Sequence, residues 1–324
     1  MVDCQSYIKM VPAARGQLST PHPSQQFAEV SDAELHCCAP TVFGYSFVVK
    51  KWGRLMADKF TDIPWNPEAF DYLVLSESKK TLLKSIIYAD QSGLISDIIS
   101  TKAGGFIVLL HGNPGTGKTL TAEAAAEKAK RPLMILSAAE LGFKPITVEL
   151  NLRNVLEICK LWNAILLIDE AEVILEERSL GDIQRNAMVS VLLRLLEYHR
   201  QVIFLTTNHI THIDPAVKSR IAVAIEYPDL DVEAREHIWT GFLKMGSVEI
   251  TETHGGQNMI SRAELRKLAE TELNGRYRPG YHSLLTYRQI KSAMRTVQAM
   301  SLFKNQAINY ALMEEVVAMI SGFK

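Results

Sequence analysis

Gly112-Asn113-Pro114-Gly115-Thr116-Gly117-Lys118-Thr119 is the stretch that decides how this chain is read. It fits G-x-x-x-x-G-K-[ST] at every position. It follows a short apolar run, Ile107 to Leu110, and it opens an Ala-rich helical pattern, Lys118 to Ala129. The glycines permit a tight loop whose backbone N–H groups converge on phosphate oxygens, and the helix start adds the positive end of its dipole. In such a loop, residues 112–117 cradle the phosphates of ATP. Lys118 reaches the β- and γ-phosphates, and the Thr119 hydroxyl ligates Mg²⁺. A chance glycine-rich turn would not carry all eight positions between a strand and a helix.

Downstream the same rhythm repeats. Leu133 to Leu136, Ile165 to Ile168, Val202 to Leu205 and Ala222 to Ile225 read as further strands, with helical patterns over Leu150–Leu161 and Asn186–His199 between them. Short, fully apolar strands alternating with amphipathic helices predict a parallel sheet covered on both faces, a three-layer αβα sandwich over residues 101–228. Beyond Tyr227-Pro228 the strands stop. Val232–Met245, Ala263–Leu273, Gln289–Phe303 and Tyr310–Ile320 read as helices, and Ser261-Arg262-Ala263-Glu264 is a capping box. Residues 229–324 are therefore expected to form a small all-α lid domain. Upstream, residues 41–100 form a preceding segment. There Ser46 to Leu55 alternates like a strand or hairpin, and Asn66-Pro67 reads as the cap and first position of a helix running through Leu82, Leu83, Ile86 and Ile87. Residues 1–40 carry no sustained period and are expected to be irregular.

Composition bounds the function classes. The chain has 324 residues with 47% hydrophobic content, enough for a sizeable core, and 35 Lys+Arg against 36 Asp+Glu. A net charge of −1 supplies no basic field for nucleic acid, which argues against a DNA-dependent motor. The cysteines Cys4, Cys37, Cys38 and Cys159 form no C-x-x-C pair and suit neither a zinc site nor a disulfide framework. A reducing, intracellular setting, cytoplasm or nucleus, is expected. Met1 to Met10 lacks the apolar core of a signal peptide, and no run approaches the ~20 apolar residues of a membrane span.

Two further strand ends carry chemistry. Asp169-Glu170 closes the strand Ile165 to Ile168, at the carboxyl edge where open parallel sheets bind ligands. Asp169 suits the Mg²⁺ shell, and Glu170 suits the base that polarises an attacking water. Asn208, after Leu205-Thr206-Thr207, is placed to hold that water beside the γ-phosphate. Rival readings are a P-loop switch or scaffold with little turnover, and a small-molecule kinase, which would need neither Asn208 nor Arg220. His111 and His209 flank the site and read as structural. Trp52, Trp65, Trp162 and Trp239 read as packed anchors, while Lys79-Lys80 and Arg262/Arg266-Lys267 read as solvated helix faces.

Together these features resemble the AAA+ ATPases over roughly Phe43 to Ile320. Asp169-Glu170-Ala171-Glu172-Val173, Arg178-Ser179-Leu180, Leu192 to Tyr198, Leu205 to Asn208, Lys51-Trp52-Gly53 and Trp65 to Phe70 resemble a group abundant in filamentous fungi. Members of that group carry a separate domain before the ATPase, which is largely missing here. The resemblance implies ATP hydrolysis coupled to remodelling of an unknown protein client by a homo-oligomeric ring or partial ring. It implies that Arg220, within Asp214 to Ile221, is an arginine finger acting in trans. It also implies that Arg276, after Asn274-Gly275, contacts phosphates from the lid. Two places depart from the family. Leu141-Gly142-Phe143-Lys144 does not reproduce the order of a substrate-threading loop, so Phe143 reads as packing. Tyr277 to Arg288 intervenes between Arg276 and the expected helix start Gln289-Ile290-Lys291, and reads as a retained intron.

Overall fold

The computed structural model describes residues 1–2, 4–11, 39–92, 105–142, 144–178, 182–197, 199–210, 212–252, 258–271 and 285–321. Within them the chain begins with helix α1 (Cys4–Met10), hairpin strands β1 (Thr41–Ser46) and β2 (Lys51–Met56), and helix α2 (Glu77–Ser92). The α/β domain follows as β3 (Ile107–Gly112), α3 (Lys118–Ala129), β4 (Leu133–Ser137), α4 (Ala138–Leu141), α5 (Pro145–Leu161) and β5 (Ile165–Asp169). It continues through α6 (Glu172–Leu175), α7 (Ile183–Glu197), β6 (Ile203–Thr207), α8 (Pro215–Lys218) and β7 (Val223–Tyr227). The C-terminal region contains α9 (Val232–Met245), β8 (Glu249–Thr251), β9 (Met259–Ser261), α10 (Arg262–Glu270), α11 (Tyr287–Lys304) and α12 (Tyr310–Ser321).

The expected sandwich is present. Five strands pair in parallel in the order β4-β5-β6-β3-β7. Because successive strand side chains alternate faces, Ile107 and Leu109 pack towards α5 and α7, while Val108 and Leu110 pack towards α2 and α3. Residues of both faces are buried, which is why these strands read as unbroken apolar runs. On α3, Ala122, Ala124, Ala125, Ala126 and Ala129 are buried, and their small side chains let that helix lie close on the sheet. The hairpin docks by aromatic contacts: Tyr45, Trp52 and Trp162 have ring centroids 5.4–5.7 Å apart. A third core, around Trp239, Leu243, Ile290 and Met313, belongs to the C-terminal region.

Several boundaries differ from the sequence reading. The first 40 residues are not wholly irregular. Seven of them form α1, held by Tyr7 stacking on Phe43 at 4.4 Å, a contact invisible to local pattern. Asn66-Pro67 starts only a four-residue 3₁₀ turn, Pro67–Phe70; the Asn66 side chain makes no cap, and its N–H donates to Glu127 Oε2 at 2.8 Å. The C-terminal region is not all-α, because β8 and β9 pair in a short ribbon too brief to show a period of two. Lys80 is not a solvated face: it is 8% exposed, and its ammonium donates to the Asp71 carbonyl at 3.1 Å. Among the described residues no helix is long and apolar enough to cross a membrane.

Candidate functional site

The strand order brings the carboxyl ends of β5, β6 and β3 side by side, so three polar segments distant in sequence meet at one edge of the sheet. The loop leaving β3 depends on glycine, and at Gly112 and Gly115 close neighbours add to the conformational demand. Gly112 has φ of 145°, and a Cβ there would lie 2.2 Å from the Tyr227 carbonyl oxygen. Gly115 has φ of 79°, and a Cβ would lie 2.8 Å from Thr286 Cβ. The loop is tied down by Thr116 Oγ1 donating to the Asn113 carbonyl (2.8 Å) and by Asn113 Nδ2 donating to Asp229 Oδ1 (2.7 Å). Gly117, the N-cap of α3, brings no capping side chain, an arrangement that leaves the helix start to an anion.

Lys118 is buried and points into this loop. Its ammonium donates to the carbonyls of Gly112 (2.7 Å) and Asn113 (2.8 Å) and to Asn208 Oδ1 (3.0 Å). Burial lowers its pKa below that of an ordinary lysine, while Glu172, Asp169 and Glu170 pull in the opposite direction. Thr119 Oγ1 lies 3.2 and 3.3 Å from the two Asp169 oxygens. Asp169 Oδ1 also accepts from Thr206 Oγ1 at 2.5 Å. Glu170 has φ of +52°, and its N–H donates to the same Thr206 hydroxyl at 2.9 Å. The Asn208 N–H donates to Glu172 Oε1 at 2.5 Å.

These groups line a cavity of about 460 Å³ that holds Lys118, Thr119, Asp169, Glu170 and Asn208 on one side. The opposite side is the first turn of α11 with its cap, from Thr286 to Lys291. The hydroxyl of Thr119 and the carboxylate of Asp169 are hard oxygen donors converging beside the loop. That suits Mg²⁺, which takes one or two protein oxygens and completes its shell with phosphates and water. No group of three or more His, Cys, Asp or Glu forms a protein-only metal cage among the described residues.

Arg220 does not line this cavity. Its guanidinium donates to the Ala216 carbonyl at 3.0 Å and lies 3.6 Å from Glu197 Oε2. Arg276, Phe143 and residues 277–284 lie outside the described residues. The last four residues of the stretch set aside as inserted are part of the fold. Leu285 is buried in the C-terminal core, and Thr286 forms a capping box with Gln289. The Tyr287 N–H donates to the Gly115 carbonyl at 2.9 Å. Helix α11 therefore begins at Tyr287, two residues before the expected start. Burial pushes the Tyr287 phenol up to about 12, with nearby Glu123 adding to the shift. Sequence reasoning missed these lid residues, although Thr286-x-x-Gln289 has capping-box spacing. It also gave no role to Glu172 or Thr206, whose bonds depend on how β5 and β6 pair.

Comparison with known proteins agrees with this architecture. Residues 108–229 match the family model described as ATPase family associated with various cellular activities (AAA). Protein CdcH of Halobacterium salinarum is 34% identical over 140 residues, 40% of this chain and 19% of that protein. The probable spastin homolog spas-1 of Caenorhabditis briggsae is 30% identical over 175 residues, 50% of this chain and 30% of that protein. The chain thus spans less than a third of the length of either relative. Among solved structures, the FIGL-1 AAA domain in complex with ADP superposes with a TM-score of 0.52 at 19% identity, covering 77% of this chain and 83% of that one. That likeness concerns the fold, an α/β P-loop domain followed by a helical lid.

Proposed function

Starting from an AAA ATPase family domain over residues 108–229, we propose that this chain binds ATP and hydrolyses it in a Mg²⁺-dependent reaction. The observation that carries the reading is the convergence of Lys118, Thr119, Asp169, Glu170 and Asn208 on one cavity between the sheet edge and the lid. The 112–117 loop and the start of α3 would hold the phosphates through N–H groups, and Lys118 would release its loop carbonyls to meet them. Thr119 and Asp169 would hold Mg²⁺, which supplies charge neutralisation on the phosphate oxygens. Asn208 would orient water in line with the γ-phosphorus, and a Glu170 carboxylate oxygen would take a proton from it. The water oxygen then bonds to phosphorus as the bond to the β–γ bridging oxygen breaks, releasing ADP and phosphate.

The tie between Tyr287 and Gly115 supports a coupling of this chemistry to lid motion, because a nucleotide seated between loop and lid is felt by both. Work on a macromolecular client by a homo-oligomer is the wider form of the proposal. In it Arg220, which does not line its own cavity, would reach the γ-phosphate of a neighbouring copy. The rival kinase reading is separated by one experiment: phosphate release measured with Mg²⁺ and ATP and no other acceptor. Sustained release supports hydrolysis. Release only when an acceptor is added, with the acceptor phosphorylated, would overturn it.

A further inference from the structure

We infer that Thr206 positions both members of the acidic pair, setting the aim of Asp169 and the backbone conformation of Glu170; this rests on the hydrolytic reading above. The parallel ladder between β5 and β6 ends at Ile168 and Leu205. Past that point Thr206, 1% exposed, holds the β5 end by three bonds to three consecutive residues. Its hydroxyl donates to Asp169 Oδ1 (2.5 Å) and accepts from the Glu170 N–H (2.9 Å), and its carbonyl accepts from the Ala171 N–H (2.9 Å). A hydroxyl has one proton and two lone pairs, so it serves a carboxylate and an amide at once.

The amide bond matters because Glu170 sits at φ of +52°, the left-handed region that a non-glycine residue keeps only where its surroundings enforce it. That conformation turns the chain immediately after the metal-side carboxylate and lets Glu170 line the cavity along with Asp169. The other bond holds Asp169 Oδ1, leaving the carboxylate within reach of Thr119 Oγ1. Thr206 itself reaches the cavity lining, but both bonds of its hydroxyl are committed to Asp169 and Glu170, and it is through these two neighbours that it acts. Thr207, the next residue, turns its hydroxyl to the backbone of His209 and takes no part.

The test uses the full chain with Thr206→Val, which keeps the shape and removes the hydroxyl, and Thr206→Ser, which keeps the hydroxyl and removes a methyl. For Thr206→Val, kcat is expected to fall about 10- to 100-fold, the scale of a small misplacement in an active site, with KM for ATP changing far less. The gain in affinity for a fluorescent ADP analogue between EDTA and Mg²⁺ should shrink roughly threefold. Thr206→Ser should match the parent in both. A valine variant equal to the parent in kcat and in the Mg²⁺ gain overturns the inference, as does a serine variant that falls as far as valine. If the valine variant does not fold, Thr206→Ala against Thr206→Ser isolates the same hydroxyl, and equal values overturn the inference. A parent that releases no phosphate overturns hydrolysis, while the Mg²⁺ gain of the variants still judges Thr206.

Discussion

One wall of the cavity is carried by strands buried on both faces; the other is the first turn of a lid helix, tied to the loop by a main-chain bond from Tyr287 to Gly115. The sheet wall inherits its precision from close packing: Ile165, Leu166, Leu167 and Ile168 are wholly buried, so Asp169 and Glu170 emerge from a rigid base. The lid wall inherits its place from a capping box and from Leu285 and Ile290 in a separate core. The difference teaches where chemistry and where movement can reside. Groups that must hold fixed distances stand on the sheet, and groups that must follow the nucleotide stand on a unit with its own core.

The largest expected effect lies on the sheet wall. Lys118→Ala should abolish binding of a fluorescent ADP analogue, since the buried cation proposed to meet the phosphates is lost; measurable binding at parental affinity would break the contrast. Next comes a group belonging to neither wall. Arg220→Ala should lose roughly 10³–10⁵-fold in phosphate release while keeping ATP affinity, and mixing it with Glu170→Gln protein should restore some turnover at mixed interfaces. Full activity of a monomer at high dilution would remove Arg220 from the account.

Where the walls touch, Gly115→Ala forces a Cβ into the left-handed region and within 2.8 Å of Thr286 Cβ. The strain of about 1–2 kcal/mol should weaken nucleotide affinity by about tenfold, read by titration. The smallest effect is on the lid wall alone. Thr286→Ala removes the hydroxyl that donates to Gln289 Oε1 at 2.8 Å, a bond worth about 1 kcal/mol, which should lower the thermal midpoint slightly and leave ADP binding within a few fold. A collapse of binding in this variant would mean that the two walls are one unit.

The same contrast explains what could be read from the amino acids. Strands β3, β5 and β6 were legible because double-sided burial writes an unbroken apolar run, and the loop and Asp169-Glu170 stand directly at their ends. Neighbourhood of Asn208 and Asp169 followed from strand order. Thr206 was not legible as a site residue, since its hydroxyl acquires partners only through the pairing of β5 with β6. The start of α11 was misplaced because Leu285 and Thr286 gain their meaning from the C-terminal core and from Gly115, both remote in sequence. Helix α1 escaped notice because its hold, Tyr7 on Phe43, spans a gap of more than thirty residues.

The central claim is that Glu170 is the base of a hydrolytic site whose binding elements stand independently of it. Binding of the ADP analogue and phosphate release from ATP, measured side by side for the parent and Glu170→Gln, test it most directly. The account predicts unchanged binding with release reduced by roughly 10²–10⁴-fold. Release at the parental rate, or binding lost together with turnover, would contradict it.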